Sequence, residues 1–254
     1  MKFRLRAFGL HLTGSACALA LVLGSFYLIW YRWPGWYLSG VLSVVLVMCL
    51  VDVAVGPSLT LIVANPDKAR RVLGRDIVVI VTLQMAALIY GTITLWIGRP
   101  LYYTYSNKSL DLVQASDLEA DEIAQALKAN PAFAPHWYSG VRWVWAPVPA
   151  DPEAAAKIAG GPGFGDVVYK PLYFKPWADG LAELRKNLQP LSDVPGFSKA
   201  EKASLARRMV ASGMSPAQPN AMVMWGEEGS RPLLTVFDPQ SLEVRAMLTV
   251  RRRQ

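Results

Sequence analysis

The side chains with chemical potential in this sequence are few and widely spaced. Asp52 stands alone among apolar neighbours, Gly56-Pro57 follows one helical turn later, Gln84 lies in another apolar stretch, and His11 sits near the start of a third. A carboxylate in such surroundings costs several kcal/mol unless it is paired, hydrated or protonated. Asp52 therefore reads as a polar contact, either for a partner helix or between helices of this chain. A proton relay needs a second acid, and these stretches hold none. Proline removes a backbone donor and bends a helix, which opens carbonyl groups near Asp52 to a partner. At about 1.5 Å of rise per residue, Asp52 and Gln84 differ in depth by roughly 8 Å, so a bond between them requires tilt or sliding. Ala16, Ala20 and Gly24 form a row of small residues at helical spacing, and Ala87 and Gly91 repeat the motif. Such rows let backbones approach closely, within one protein or between two. The candidate partner-helix contacts are thus Asp52, Gly56, Pro57, Gln84, Ala16, Ala20 and Gly24.

Catalytic chemistry finds no comparable set. Gly-x-Ser-x-Gly and His-Glu-x-x-His do not occur, and His136 has no Ser or Cys nucleophile near it in sequence. Cys17 and Cys49 both fall in apolar stretches, so the polar part of the chain can form neither a disulfide nor a thiolate metal site. Gly160–Gly165 lacks the Lys-Ser/Thr of a phosphate loop. The expectation is a protein that is not an enzyme and uses no metal or cofactor.

The elements that must position these residues are long and apolar. Ala7–Tyr31 and Ile77–Gly98 contain no charge, and Trp33–Pro66 contains only Asp52. About 20 apolar residues suffice to cross a hydrocarbon core, which predicts three transmembrane helices over about 7–31, 36–63 and 77–97. The first 98 residues hold 8 Lys and Arg against 3 Asp and Glu, and the remainder 18 against 16. The positive excess therefore flanks the apolar stretches. It argues for anionic lipid and topology rather than nucleic acid. Lys2, Arg4 and Arg6 precede the first stretch, and Lys68, Arg70, Arg71 and Arg75 lie between the second and third. The positive-inside rule places both segments in the cytoplasm, giving an N-in, C-out protein. Aromatic residues gather at the first link (Tyr27, Trp30, Tyr31, Trp33, Trp36, Tyr37) and around the last exit (Trp96, Tyr102, Tyr103). Both clusters fall on the same, outer side. Ala18-Leu19-Ala20 resembles a signal-peptidase site, but apolar sequence runs on to Trp30, favouring an uncleaved helix.

Residues 99–254 read as an α+β domain. Ser109–Ala115 alternates like a strand, and Ser116-Asp117-Leu118-Glu119 matches a capping box for a helix to about Ala129. Asn130–Gly165 reads as irregular. Val167–Phe174 reads as a strand, Trp177–Leu188 as a helix, and Ser198 as the cap of a helix to about Ser212, with Gly213 at its end. Three strands follow at Ala221–Trp225, Pro232–Phe237 and Leu242–Arg251, with a turn at Asp238–Ser241. Leu242, Val244, Ala246, Leu248 and Val250 mark one buried face. Trp137, Trp143, Trp145, Trp177 and Trp225 suit either core or contact. The fold class is a membrane protein: an N-terminal three-helix transmembrane bundle over 1–98, then a C-terminal α+β periplasmic domain over 99–254.

Four stretches carry a family resemblance: MKFRLRAFGLHLTGS, WYRWPGWY, VDVAVGPSLTLIVANPDKARRVLGRDI and GRPLYYTYSNKSLDLVQASDL. In order they contain Asp52, Gly56-Pro57, Asn65-Pro66, Arg75-Asp76, Gln84 and Arg99-Pro100. Over roughly residues 1–120 the chain resembles the TfpX/TfpZ type IV pilin accessory proteins, which include FimB-like members. It departs at Asn107-Lys108-Ser109, where the family has an acidic residue. The resemblance implies a chaperone-like accessory factor in the inner membrane of a Gram-negative bacterium. Its partner would be the major type IV pilin, a single membrane helix with a periplasmic head, and its role would lie in pilin availability and pilus assembly. The competing reading is a membrane-anchored periplasmic sensor or ligand-binding protein. With only a short tail and one short loop inside, it would have to act through a partner.

Overall fold

The computed structural model describes residues 1–106, 108–153, 155, 158, 167–227, 230 and 232–249. The chain divides into two compact units, Met1–Arg32 with Val41–Gly98 and Trp33–Gly40 with Arg99–Gln254.

The first unit is helical. Helix α1 spans Lys2–Ile29, and the short α2 (Gly35–Leu38) belongs to the other unit. Then come α3 (Leu42–Cys49), a π-helical turn (Leu50–Val55), α4 (Gly56–Val63) and α5 (Arg70–Ile97). Lys2–Ile29, Leu42–Val63 and Arg70–Ile97 are each long and apolar enough to cross a membrane. The second begins at Leu42 rather than near residue 36, because Gly40 adopts φ +65° and ends α2 as a separate turn. Helices α1 and α5 run past the apolar stretches into charged turns, since backbone hydrogen bonding continues where hydrophobicity stops. Pro57 has no N–H to donate, and the turn before it is wound one residue wide, with the Gly56 N–H donating to the Val51 carbonyl. Leu19, Trp30, Tyr31, Met48 and Leu95 form the core. Trp30 meets Trp96 edge-on at 5.4 Å, and the Tyr31 hydroxyl donates to the Leu95 carbonyl at 2.8 Å.

The second unit is built on a seven-stranded sheet. Its strands are β1 (Pro100–Ser106), β2 (Ser109–Gln114), β3 (Arg142–Trp145), β4 (Lys175–Pro176), β5 (Ala221–Trp225), β6 (Leu233–Phe237) and β7 (Val244–Leu248). They lie in the order β4-β3-β1-β2-β5-β6-β7. The β1/β3 and β2/β5 pairs are parallel and the others antiparallel. Helices α6 (Ala120–Ala129), α7 (Leu181–Asn187) and α8 (Lys199–Ala211) belong to the same unit.

Strand β1 is buried along its whole length. Tyr102 enters one core cluster while Tyr103 and Tyr105 enter another, as the two-residue period of a strand requires. Burial on both faces removes the polar alternation that announces a half-exposed strand, so this strand carries no such pattern in the sequence. Strand β3 likewise emerges from a stretch expected to be irregular. Val167–Phe174 is not a strand but two 3₁₀ turns, Val167–Tyr169 and Pro171–Tyr173. Asn130 Nδ2 lies within 3.2 Å of the carbonyls of Pro171, Leu172 and Phe174, so these groups need no sheet partner. Helix α6 starts at Ala120, because the capping box forms between Gln114 and Asp117 rather than between Ser116 and Glu119. At Ser198 the expected box does form: its N–H donates to Glu201 Oε2 at 2.8 Å and Glu201 N–H to its Oγ at 3.3 Å. The buried face expected for β7 is incomplete, since Val244 is exposed while Leu248 is buried.

The Trp33–Gly40 link is part of this unit's core. Leu38 is fully buried in the cluster containing Tyr103, Tyr105, Leu110, Met222 and Met224. Glu227 N–H donates to the Leu38 carbonyl at 2.9 Å, and a Cβ on Gly226 would collide with that carbonyl. Trp143, Trp145 and Trp177 pack against the same cluster, whereas Trp137 stands in solvent. Gly160–Gly165 and Asn107 lie outside the described residues.

Candidate functional site

The candidate site in the helical unit is built around Gln84. Its Nε2 donates to the main-chain carbonyl of Asp52 at 3.2 Å and, more weakly, to Ser15 Oγ at 3.4 Å. One amide thus ties α5 to the π turn and to α1. One or two turns nearer the basic ends of these stretches, His11 Nδ1 and Thr60 Oγ1 lie 2.5 Å apart, joining α1 to α4. These contacts form a polar seam through all three apolar helices. The difference in depth between Asp52 and Gln84 is bridged because the acceptor is the main chain, which the wide turn before Pro57 presents. Gly56 makes room for it: a Cβ there would occupy the place of the Gln84 amide.

The seven candidate residues fall into two groups. Asp52, Gly56, Pro57 and Gln84 are buried inside the unit, Asp52 at 3% exposure. Ala16 and Gly24 are half-buried and Ala20 is exposed, and the space above Gly24 is open. Ala87 is half-buried, but Gly91 is tightly packed, with a Cβ there falling 2.5 Å from Met48 Sδ. Asp52 Oδ2 and Gln84 Oε1 are buried and have no hydrogen-bond partner among the described residues.

In the sheet unit one highly connected side chain is one that spacing gave no reason to notice. Arg142 donates to the carbonyls of Ala132 at 2.7 Å, Phe133 at 3.0 Å and Ala134 at 2.9 Å, and to Tyr102 Oη at 3.0 Å. It holds the 130–141 segment against β1 and β3. Burial pushes the Tyr102 hydroxyl up to about 12 despite the pull of Arg142. Burial does the same to Tyr105, also to about 12, against the Asn187 bond. A signal for Arg142 was present, a lone cation among Trp and Val, but its partners are carbonyls, which leave no mark in a side-chain pattern. His136 stacks on Tyr138 at 5.4 Å beside the exposed Trp137. A surface groove of about 600 Å³ runs along Phe133, Val148, Tyr173 and Lys175. These features offer rings, prolines and carbonyls, which suit protein contact.

No family model matches the chain, and no solved structure does. Curated relatives exist in Dichelobacter nodosus. The "Fimbrial assembly protein, serogroup E1" is 27% identical over 200 residues, covering 78% of this chain and 75% of the relative. The "Fimbrial assembly protein, serogroup I" is 26% identical over 194 residues, covering 75% of this chain and 73% of the relative. The "Fimbrial assembly protein, serogroups C1 and C2" is 29% identical over 124 residues, 49% of this chain and 95% of that protein. The chain is thus similar, over about three quarters of its length, to proteins named for fimbrial assembly.

Proposed function

We propose that this protein is a non-enzymatic accessory factor for assembly of type IV pili, acting in the inner membrane on the major pilin. The observation that carries the reading is the similarity to fimbrial assembly proteins across most of both chains. Three apolar helices followed by a sheet unit suit a client that is itself one membrane helix with a folded head. The N-terminus and the basic link between α4 and α5 lie in the cytoplasm, and the sheet unit with the Trp33–Gly40 link lies in the periplasm. The polar seam holds the three helices in one arrangement, leaving apolar outer faces for the pilin helix, while the sheet unit meets the pilin head. The role is chaperone-like: the pilin is held available until it is assembled.

Deletion of the gene, complemented in trans, tests this. Surface pili should fall severalfold, and pilin should co-purify with the tagged protein from detergent-solubilised membranes. Unchanged piliation together with no association would refute the reading.

A further inference from the structure

The chain passes between the two units at Arg32–Trp33, Gly40–Val41 and Gly98–Arg99, each time within a few residues of a helix long and apolar enough to cross a membrane. Inside the sheet unit these junctions gather at one end of the sheet. Strand β1 starts at Pro100, and the Arg99 carbonyl accepts the Ala115 N–H at 3.0 Å, one residue past the end of β2. Strand β5 runs parallel to β2, and the Leu38 carbonyl accepts the Glu227 N–H two residues past the end of β5. The opposite end is closed by the Asp238–Ser241 turn. Tyr105, Leu110, Met224 and Leu233 are neighbours across the register, and β6 runs from there to Phe237, away from the junctions.

The loop of residues 135–141 leaves the sheet at the junction end. Strand β3 is parallel to β1, with Arg142 opposite Tyr102 and Trp145 opposite Tyr105, so the chain before Arg142 arrives from the same end as the chain before Tyr102. Both ends of the loop are pinned there. Arg142 donates to the Ala132, Phe133 and Ala134 carbonyls, and the Tyr102 hydroxyl donates to that of Phe133 at 2.5 Å. At about 3.3 Å per residue, Tyr102 is only roughly 7 Å along β1 from Pro100. The loop carries two bare rings. Trp137 is 72% exposed, more than any other large apolar side chain described in this unit, and Tyr138 is 65% exposed. Their ring contacts are local, Trp137 with Tyr138 at 5.6 Å and Tyr138 with His136. Trp33 and Trp36, in the link held by Leu38, are exposed as well. Tryptophan and tyrosine favour the headgroup level, because each joins an apolar body to a polar tip. Residues 123–150 contain no Asp or Glu, so no carboxylate in this stretch repels phosphate headgroups. Rings and carbonyls also suit a protein, but a bilayer is always present where the apolar helices join the unit, and this decides for lipid.

We propose that the 135–141 loop is a membrane-surface anchor, with Trp137 and Tyr138 seated in the headgroup layer of the bilayer that the apolar helices cross. The anchor holds the sheet unit against the membrane surface in addition to its covalent junctions. The test places a photoreactive benzoylphenylalanine at Tyr138 or at Gln240, which is exposed in the turn at the opposite end of the sheet. The full-length protein is reconstituted in vesicles of phosphatidylethanolamine and phosphatidylglycerol, illuminated and read by mass spectrometry. Position 138 should give a phospholipid adduct and position 240 little. Trp137→Ala should lower the adduct at 138 severalfold without changing the protein's abundance, since its side chain is exposed. No lipid adduct at 138, an equal one at 240, indifference to W137A, or an adduct of twice this chain's mass would each overturn the proposal. In membranes of pilin-producing cells, a pilin adduct at 138 in place of lipid would overturn the anchor and support the pilin-binding reading, on which the anchor does not rest.

Discussion

Replacing Leu38 by alanine should destabilise the sheet unit, although Leu38 lies in the link between two apolar helices and some sixty residues before β1. Its side chain is 0% exposed and packs in a cluster with Tyr103, Tyr105, Leu110 and Met224. Truncating a buried leucine loses the transfer free energy of the removed carbons and leaves a cavity, together about 2.7–5 kcal/mol. The link is anchored here by the Glu227 N–H bond to the Leu38 carbonyl, which limits collapse of the cavity. About 3 kcal/mol or more is therefore expected. In a unit of this size that lowers Tm by roughly 6–12 °C. Trp143, Trp145 and Trp177 pack against the same cluster, so tryptophan emission of the full-length protein in detergent during heating reports the change. Leu42→Ala is the control, four residues on and 53% exposed. Gly226→Ala is a second arm, since its Cβ would strike the Leu38 carbonyl and should shift the same transition. If L38A melts within about 2 °C of L42A, less than 1 kcal/mol by the same scale, the link is not part of that core.

Gly56→Ala should displace the Gln84 amide and cost about 1 kcal/mol or more through the lost interhelical bond, read as faster unfolding of the helical unit in denaturing detergent; an unchanged rate would refute the seam. The Asp238 carboxyl is held well below the usual carboxylate range by the Ser241 N–H, by Arg245 and by the Gln240 N–H. Its contribution is present above the ordinary aspartate range and lost as pH falls through and below it; Asp238→Asn should therefore flatten the acid side of the Tm–pH curve, and a curve parallel to wild type would refute this. Burial raises Tyr102 and Tyr105 to about 12. The stability tied to their neutral form is complete below about pH 10 and lost as pH rises towards about 12. A tyrosinate absorbance titration should show a late step approaching pH 12 from Tyr102 and Tyr105, and a single step near pH 10 would contradict the burial. Ser198→Ala should cost about 1 kcal/mol through loss of the cap on α8, measured by urea unfolding, with no change if the reciprocal Ser198/Glu201 bonds are absent.

Some of this protein is written in local sequence. The three apolar helices follow from length and lack of charge, because burial in hydrocarbon is a property of single residues summed along a stretch. The Ser198 box, Gly213 at φ +74° and the Asp238 turn follow as well, since their partners lie within a few residues. Asp52 and Gln84 stood out as polar groups in apolar surroundings. Tertiary structure alone decided what these residues meet. Gln84 reaches the Asp52 backbone rather than its carboxyl because a wide turn and a missing Cβ at Gly56 bring the chain within reach. Strand β1 stayed hidden because both its faces are covered, and Arg142 because carbonyls satisfy it. The assignment of Trp33–Gly40 to the sheet unit depends on a complementary hole for Leu38, made by residues far along the chain, and no local pattern encodes a contact whose two halves are so widely separated.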